Sequence, residues 1–201
     1  MATGTTWTVE RIELRRLLLP LVTPFRTSFG VERERDVLVV RVELADSGSG
    51  ELVEGWGECG ALTEPTYSAE YVDGAQQVIE RHLVTRLFAA GPVEAATVTP
   101  VLAPVRGHRM AKAALEMAVL DGQLRATGES FAAFIGAERD RVPSGVSVGI
   151  HESTDELLET VQGYLDEGYA RIKLKIEPGA DVDQVAAVRE LVGPDVPLQV
   201  D

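Results

Sequence analysis

At 201 residues, 45% of them hydrophobic and 25% charged, the chain has the composition of an ordinary soluble globular protein and enough apolar side chains for a real core. Its 19 basic and 32 acidic residues leave a net charge of −13, which argues against nucleic acid or an anionic membrane as a general partner. One cysteine, Cys59, excludes an internal disulfide framework, the scattered His82, His108 and His151 give no metal-type spacing, and no apolar run is long enough for a membrane span or a leader, so a cytoplasmic protein is expected.

Residues 7–19 alternate as a strand does, and Pro20 is expected to end it. The following stretch, 23–30, is read as a loop that carries two aromatics, Phe25 and Phe29. These either anchor the loop to its own domain or close over a pocket. A β-branched strand over 36–44, a turn at 46–50 and a strand reaching Cys59 complete a three-stranded antiparallel meander. Cys59 is assigned to packing, since no His or Asp pattern near it would activate a thiol. A second loop, 62–67, holds Leu62 and Tyr67, and Ser68 is expected to cap a helix running to about residue 90. Helices are predicted near 93–102 and 108–126, the latter closed by Gly128, with Met110, Ala114, Met117, Ala118 and Leu124 as core positions and Glu116 and Asp121 paired or solvated. With a short helix at 131–135, residues 1–135 read as an α+β domain, and 136–201 as something else.

That remainder alternates strand and helix: strands at 146–150, 169–176 and 197–201, and helices at 154–167 and 181–192 closed by Gly168 and Gly193. Val146, Val148, Ile150, Ile172, Leu174, Ile176, Leu198 and Val200 share one parity and are expected to face covering helices. The opposite parity carries Ser147, Gly149, Lys173, Lys175, Gln199 and Asp201. Parallel strands with one apolar and one polar face fit the opening of a (β/α) TIM-type barrel, incomplete in this chain because such a barrel needs roughly 250 residues by itself. Two lysines two apart on one strand face disfavour each other's charge, and a lysine pushed toward neutrality can act as a general base. Either lysine could equally neutralise a carboxylate. Asp201 could be that salt-bridge partner, or one oxygen ligand of a hard cation such as Mg²⁺. A lysine base beside a cation-bound carboxylate suits removal of a proton α to a carboxylate, with a metal-stabilised enediolate.

An α+β domain, then Lys-x-Lys on a second barrel strand and Asp at the end of a third, resembles the enolase superfamily, for which lysine bases with Mg²⁺ are known. The strings Pro-Phe-Arg-Thr-Ser-Phe-Gly at 24–30, Gly-Trp-Gly-Glu-Cys at 55–59, Gly-Val-Ser-Val-Gly-Ile at 145–150 and the stretches 107–121 and 168–178 resemble its o-succinylbenzoate synthase and N-acylamino-acid racemase group. The resemblance implies Lys175 as the catalytic base and Lys173 as its partner at the substrate carboxylate. It also implies Asp201 as the first of three metal ligands, for Mg²⁺ or another divalent cation such as Mn²⁺. Ser147, Phe25, Phe29, Leu62 and Tyr67 are implied substrate contacts, the last four on capping loops. The implied reaction is dehydration of 2-succinyl-6-hydroxy-2,4-cyclohexadiene-1-carboxylate to o-succinylbenzoate in menaquinone biosynthesis, together with N-succinyl or N-acylamino-acid racemisation. Dipeptide epimerases and muconate-type cycloisomerases share the lysine pair and are the alternatives within the superfamily. A different alternative is a non-catalytic truncated chain that pairs with a complementary subunit. The family's other acidic ligands and its opposite-face lysine lie on later strands, so the 201 residues alone are expected to be inactive. The expected partner is a small carboxylate substrate, and the complete protein is expected to be a homo-oligomer.

Overall fold

Strict alternation makes β2 (Gly30–Asp46) the centre of the first sheet: Leu38, Val40, Val42 and Leu44 are fully buried, while Val39, Arg41 and Glu43 point the other way. The computed structural model describes residues 6–28 and 30–201. Its strand order is β1 (Trp7–Thr27), β2, β3 (Leu52–Cys59), with β2 and β3 antiparallel in the register Val42↔Gly55 and Val40↔Gly57. On the solvent face Arg41 gathers Glu13 at 3.3 Å, Glu43 at 2.9 Å and Glu54, so the charges along that face neutralise one another.

β1 passes straight through Pro20, against the expectation that proline ends it, and residues 23–27 are strand rather than loop. The physical reason is position: β1 is the edge strand, where a missing N–H removes no ladder bond on the solvent side. The chain divides into two compact units, one of the residues up to Leu19 with Arg35–Ala137 and one of Pro20–Glu34 with Glu138–Asp201. The tip of the β1–β2 hairpin therefore belongs with the second unit, a division that differs from a simple cut near residue 135.

In the first unit the buried face of the sheet is covered by α1 (Val72–Val78), a π-helical turn (Ile79–Leu83), α2 (Val84–Ala89), α3 (Ala95–Leu102) and α4 (Arg109–Thr127), with the four-residue α5 (Phe131–Phe134) after them. Gly128, at φ 69°, closes α4 in the left-handed conformation that glycine adopts without strain. The first helix starts at Val72, not near Ser68. Tyr71 is held extended and Leu62 forms an isolated bridge with it, so the chain cannot turn helical earlier, and the Ser68 hydroxyl instead donates to the Glu70 carbonyl at 2.9 Å. Cys59 packs in the core at 1% exposure, and burial pushes its thiol up, away from reactivity. Glu116 accepts from the Thr99 hydroxyl, and Asp121 accepts from the Trp56 amide at 2.9 Å and from Arg125 at 2.7 Å, so both carboxylates are structural.

The start of α4 is capped from a distance. Glu70 accepts from the backbone amides of Met110 at 3.0 Å and Ala111 at 3.3 Å, two of the donors that a helix leaves unpaired at its N-terminus. Glu70→Ala is expected to cost about 1–2 kcal/mol. At roughly 2–4 °C per kcal/mol for a chain of this size, the melting temperature falls visibly, with a smaller loss for Glu70→Gln. A melt of Glu70→Ala superimposed on the parent would remove this role.

In the second unit β4 (Gly145–Val148), β5 (Arg171–Leu174) and β6 (Leu198–Val200) form a parallel sheet in that order, with α6 (Thr154–Asp166) and α7 (Asp181–Val192) as the crossovers. Val148, Ile172 and Leu174 bury against Leu157, Val161 and Val188, so the apolar parity faces the helices as expected. Ser153 starts α6 by accepting from the Glu156 amide at 3.2 Å, and Asp155 and Glu156 add negative charge to its first turn.

Candidate active site

The parallel register puts Ser147, Lys173 and Gln199 in one row across the second sheet. The ladder continues one step past the strands. The Lys175 amide donates to Val148 O at 2.9 Å, and the Asp201 amide donates to Leu174 O at 3.0 Å, which sets Gly149, Lys175 and Asp201 in the next row on the same face.

The side chains converge accordingly. Asp201 Oδ2 accepts from Lys175 Nζ at 2.8 Å and forms an ion pair with Lys173 Nζ, so both ammonium groups share one carboxylate oxygen at the carboxyl ends of β5 and β6. Hydrogen bonds from Lys173 first and Lys175 second pull the Asp201 carboxyl down to about 2. The sign is that of a group favoured in its charged form. Its contribution to stability is fully present above the ordinary carboxylate range and is lost as pH falls through about 2. A carboxyl-carbon NMR titration is expected to give that midpoint. In Lys173→Ala/Lys175→Ala it should rise toward the usual 3.8, and an unchanged midpoint would mean that the lysines do not set it.

Asp201 offers one hard oxygen where Mg²⁺ takes six, and among the described residues no group of three His, Cys, Asp or Glu side chains is placed to hold a metal. The carboxylate of Asp201 suits such an ion as one ligand, and a complete site would need further ligands.

The hairpin tip reaches this face too. The Ile150 amide donates to Arg26 O at 3.1 Å, and a Cβ added to Gly149 would lie 3.7 Å from the Phe25 ring, so Phe25 stands beside the row that holds Lys175. Ser147 lies exposed one row back, across from Lys173. Leu62 and Tyr67 belong to the first unit, where the Leu62 carbonyl accepts from the Val72 amide at 2.9 Å and Tyr67 is 82% exposed. Phe29 lies outside the described residues. Sequence reasoning singled out neither Arg26 nor Glu177, which pair at 3.6 Å; a cation in a turn-rich stretch was the only available signal. A groove of about 550 Å³, lined by Ile176, Val182, Val185, Leu198 and Val200, lies on the opposite, helix-facing side of the sheet.

Residues 11–136 match the mandelate racemase / muconate lactonizing enzyme N-terminal domain family. The chain is similar to an N-succinylamino acid racemase of an Amycolatopsis species, at 58% identity over 94% of the chain and 50% of that protein. It is also similar to an o-succinylbenzoate synthase of Enterococcus faecalis, at 37% identity over 96% of the chain and 51% of that protein. Among solved structures, a member of the enolase superfamily from Listeria innocua superposes with a TM-score of 0.84 at 32% identity, over 98% of the chain and 51% of that chain. The chain thus spans about half the length of the curated relatives it matches.

Proposed function

The chain belongs to the mandelate racemase / muconate lactonizing enzyme family of the enolase superfamily, and on that footing we propose that the protein removes a proton from the carbon α to a carboxylate. The observation that carries the reading is the convergence of Lys173 and Lys175 on Asp201 at the strand ends. Such strand ends are where TIM-type barrels keep their chemistry, and residues 138–201 form the first three strands of such a barrel in this reading.

Lys175 Nζ is the base, at the outer row. Lys173, one row deeper on the same face, keeps its proton and neutralises the substrate carboxylate, which competes with Asp201 for its ammonium, while Lys175 takes up the α-proton as the neutral amine once it has given up its own proton and its bond to Asp201. Asp201 would supply one oxygen to Mg²⁺ or Mn²⁺, which when bound would provide positive charge beside the substrate carboxylate. Ser147 contacts the substrate from β4, and Phe25 walls the pocket on the hairpin side. Leu62 and Tyr67, in the first unit, are proposed as residues that set substrate preference, and so is Phe29.

Two outcomes of one proton abstraction fit this site. Loss of the neighbouring hydroxyl dehydrates 2-succinyl-6-hydroxy-2,4-cyclohexadiene-1-carboxylate to o-succinylbenzoate, and reprotonation racemises an N-succinylamino acid. The name of the Enterococcus faecalis relative supports the first and that of the Amycolatopsis relative the second. The full-length protein with added Mg²⁺ is expected to form o-succinylbenzoate and to exchange the α-proton of N-succinylamino acids with deuterium from solvent. Absence of both would overturn the proposal.

A further inference from the structure

Gly149 carries no side chain at a position whose Cβ would point onto the face of Lys173 and Lys175. A Cβ built there meets Arg26 O at 3.2 Å, Arg26 N at 3.4 Å and the Phe25 ring at 3.7 Å, so the hairpin main chain occupies the space that any larger residue would fill. Directly after it, the Ile150 amide is satisfied not by the neighbouring β5 but by Arg26 O, near the end of β1. The Arg26 guanidinium then spans two loops, reaching Glu177 after β5 at 3.6 Å and Glu152 after β4 at 4.0 Å.

We infer that Phe25–Thr27 is clamped to the end of β4, with Gly149 as its seat and Arg26 as its latch, and that this clamp positions Phe25 against the bound substrate. Its functional part rests on the proposed proton abstraction, whereas the clamp itself rests only on contacts within this unit. The two components differ in strength. An added Cβ at 3.2 Å from Arg26 O is tighter than ordinary packing, so the Arg26 main chain would have to give by a few tenths of an ångström. The ion pairs are about 40% exposed on the arginine side, so each is modest and weakens with salt. Arg26 and Gly149 are positioning residues, since neither is argued to touch the reacting atoms.

Amide hydrogen exchange on the full-length protein reads the clamp without chemistry. Gly149→Ala is expected to speed exchange at Ile150 and across 20–34 by at least about tenfold. Arg26→Ala should speed it about two- to fivefold, and Arg26→Lys less, with α6 and α7 unchanged in all three. Salt at about 1 M should reproduce the Arg26→Ala effect in the parent and add nothing to Arg26→Ala itself. In turnover, Gly149→Ala and Arg26→Ala should raise KM several-fold more than they lower kcat. Should Gly149→Ala fail to fold, the arginine variants and the salt series still decide. Parent-like exchange at Ile150 in Arg26→Ala, with no response to salt, overturns the latch, and parent-like exchange in a folded Gly149→Ala overturns the seat. Faster exchange with unchanged KM keeps the clamp and overturns the placement of Phe25 against substrate.

Discussion

Lys175→Ala in the full-length protein is expected to reduce α-proton exchange by about 10²–10⁴-fold, the range that a positioned general base contributes. The loss should fall on the proton transfer itself, because Lys173 remains on the same face to hold the substrate carboxylate. Lys173→Ala should instead raise KM, with the base still in place. Structure is not expected to suffer in either variant: Lys175 is 22% and Lys173 38% exposed, and each pair shares an exposed carboxylate, so its removal costs the fold little. Deuterium incorporation at the α-carbon, followed by NMR alongside a far-ultraviolet circular dichroism spectrum that matches the parent, separates these effects. Exchange within tenfold of the parent in Lys175→Ala would mean that another group is the base.

A second large effect lies far from any chemistry. Gly57→Ala should destabilise the first unit by at least about 3 kcal/mol, the upper end of ordinary overpacking. An added Cβ would sit 2.0 Å from Ala114 O and 2.9 Å from Ala118 N, both backbone atoms of α4, and at Gly55 it would sit 2.0 Å from Ala118 O. No rotamer relieves contact with a helix backbone, so α4 must move bodily off β3. That motion would disturb Ala111, Ala114, Leu115, Ala118 and Val119, all fully buried. Gly60→Ala is the control, since nothing lies within 4 Å of its added Cβ. Thermal melts of the two variants should differ by roughly 6–12 °C. Coincident melts would show that the helix and sheet are not packed as closely as described.

Both predictions depend on features of different legibility. Lys173, Lys175 and Asp201 were readable in advance, because strand alternation assigns faces from sequence alone and a parallel βα rhythm brings the strand ends together. Helix ends at Gly128, Gly168 and Gly193 were readable for a similar reason, as glycine after a periodic segment is a local signal. Pro20 was misread because proline is a stop only where its missing N–H would have been paired, and whether a strand lies at an edge is not written in that strand. Ser68 was misread because the extended backbone at Tyr71 depends on its bridge to Leu62.

Composition, parity and turn chemistry determined by themselves the order of strands and helices, the buried face of the parallel strands, and the titratable residues that share the polar face of the second sheet, whereas Met117, expected in the core of α4, is 44% exposed. Tertiary structure alone decided that residues 20–34 join that sheet's unit, that Gly149 seats Arg26, that Glu70 caps α4, and that two lysines share a single oxygen of Asp201. The physical reason is range. Periodicity and propensity act over a few residues, whereas Arg26 and Ile150, or Glu70 and Met110, meet only after the chain between them has folded, and no local pattern carries the distance between their partners.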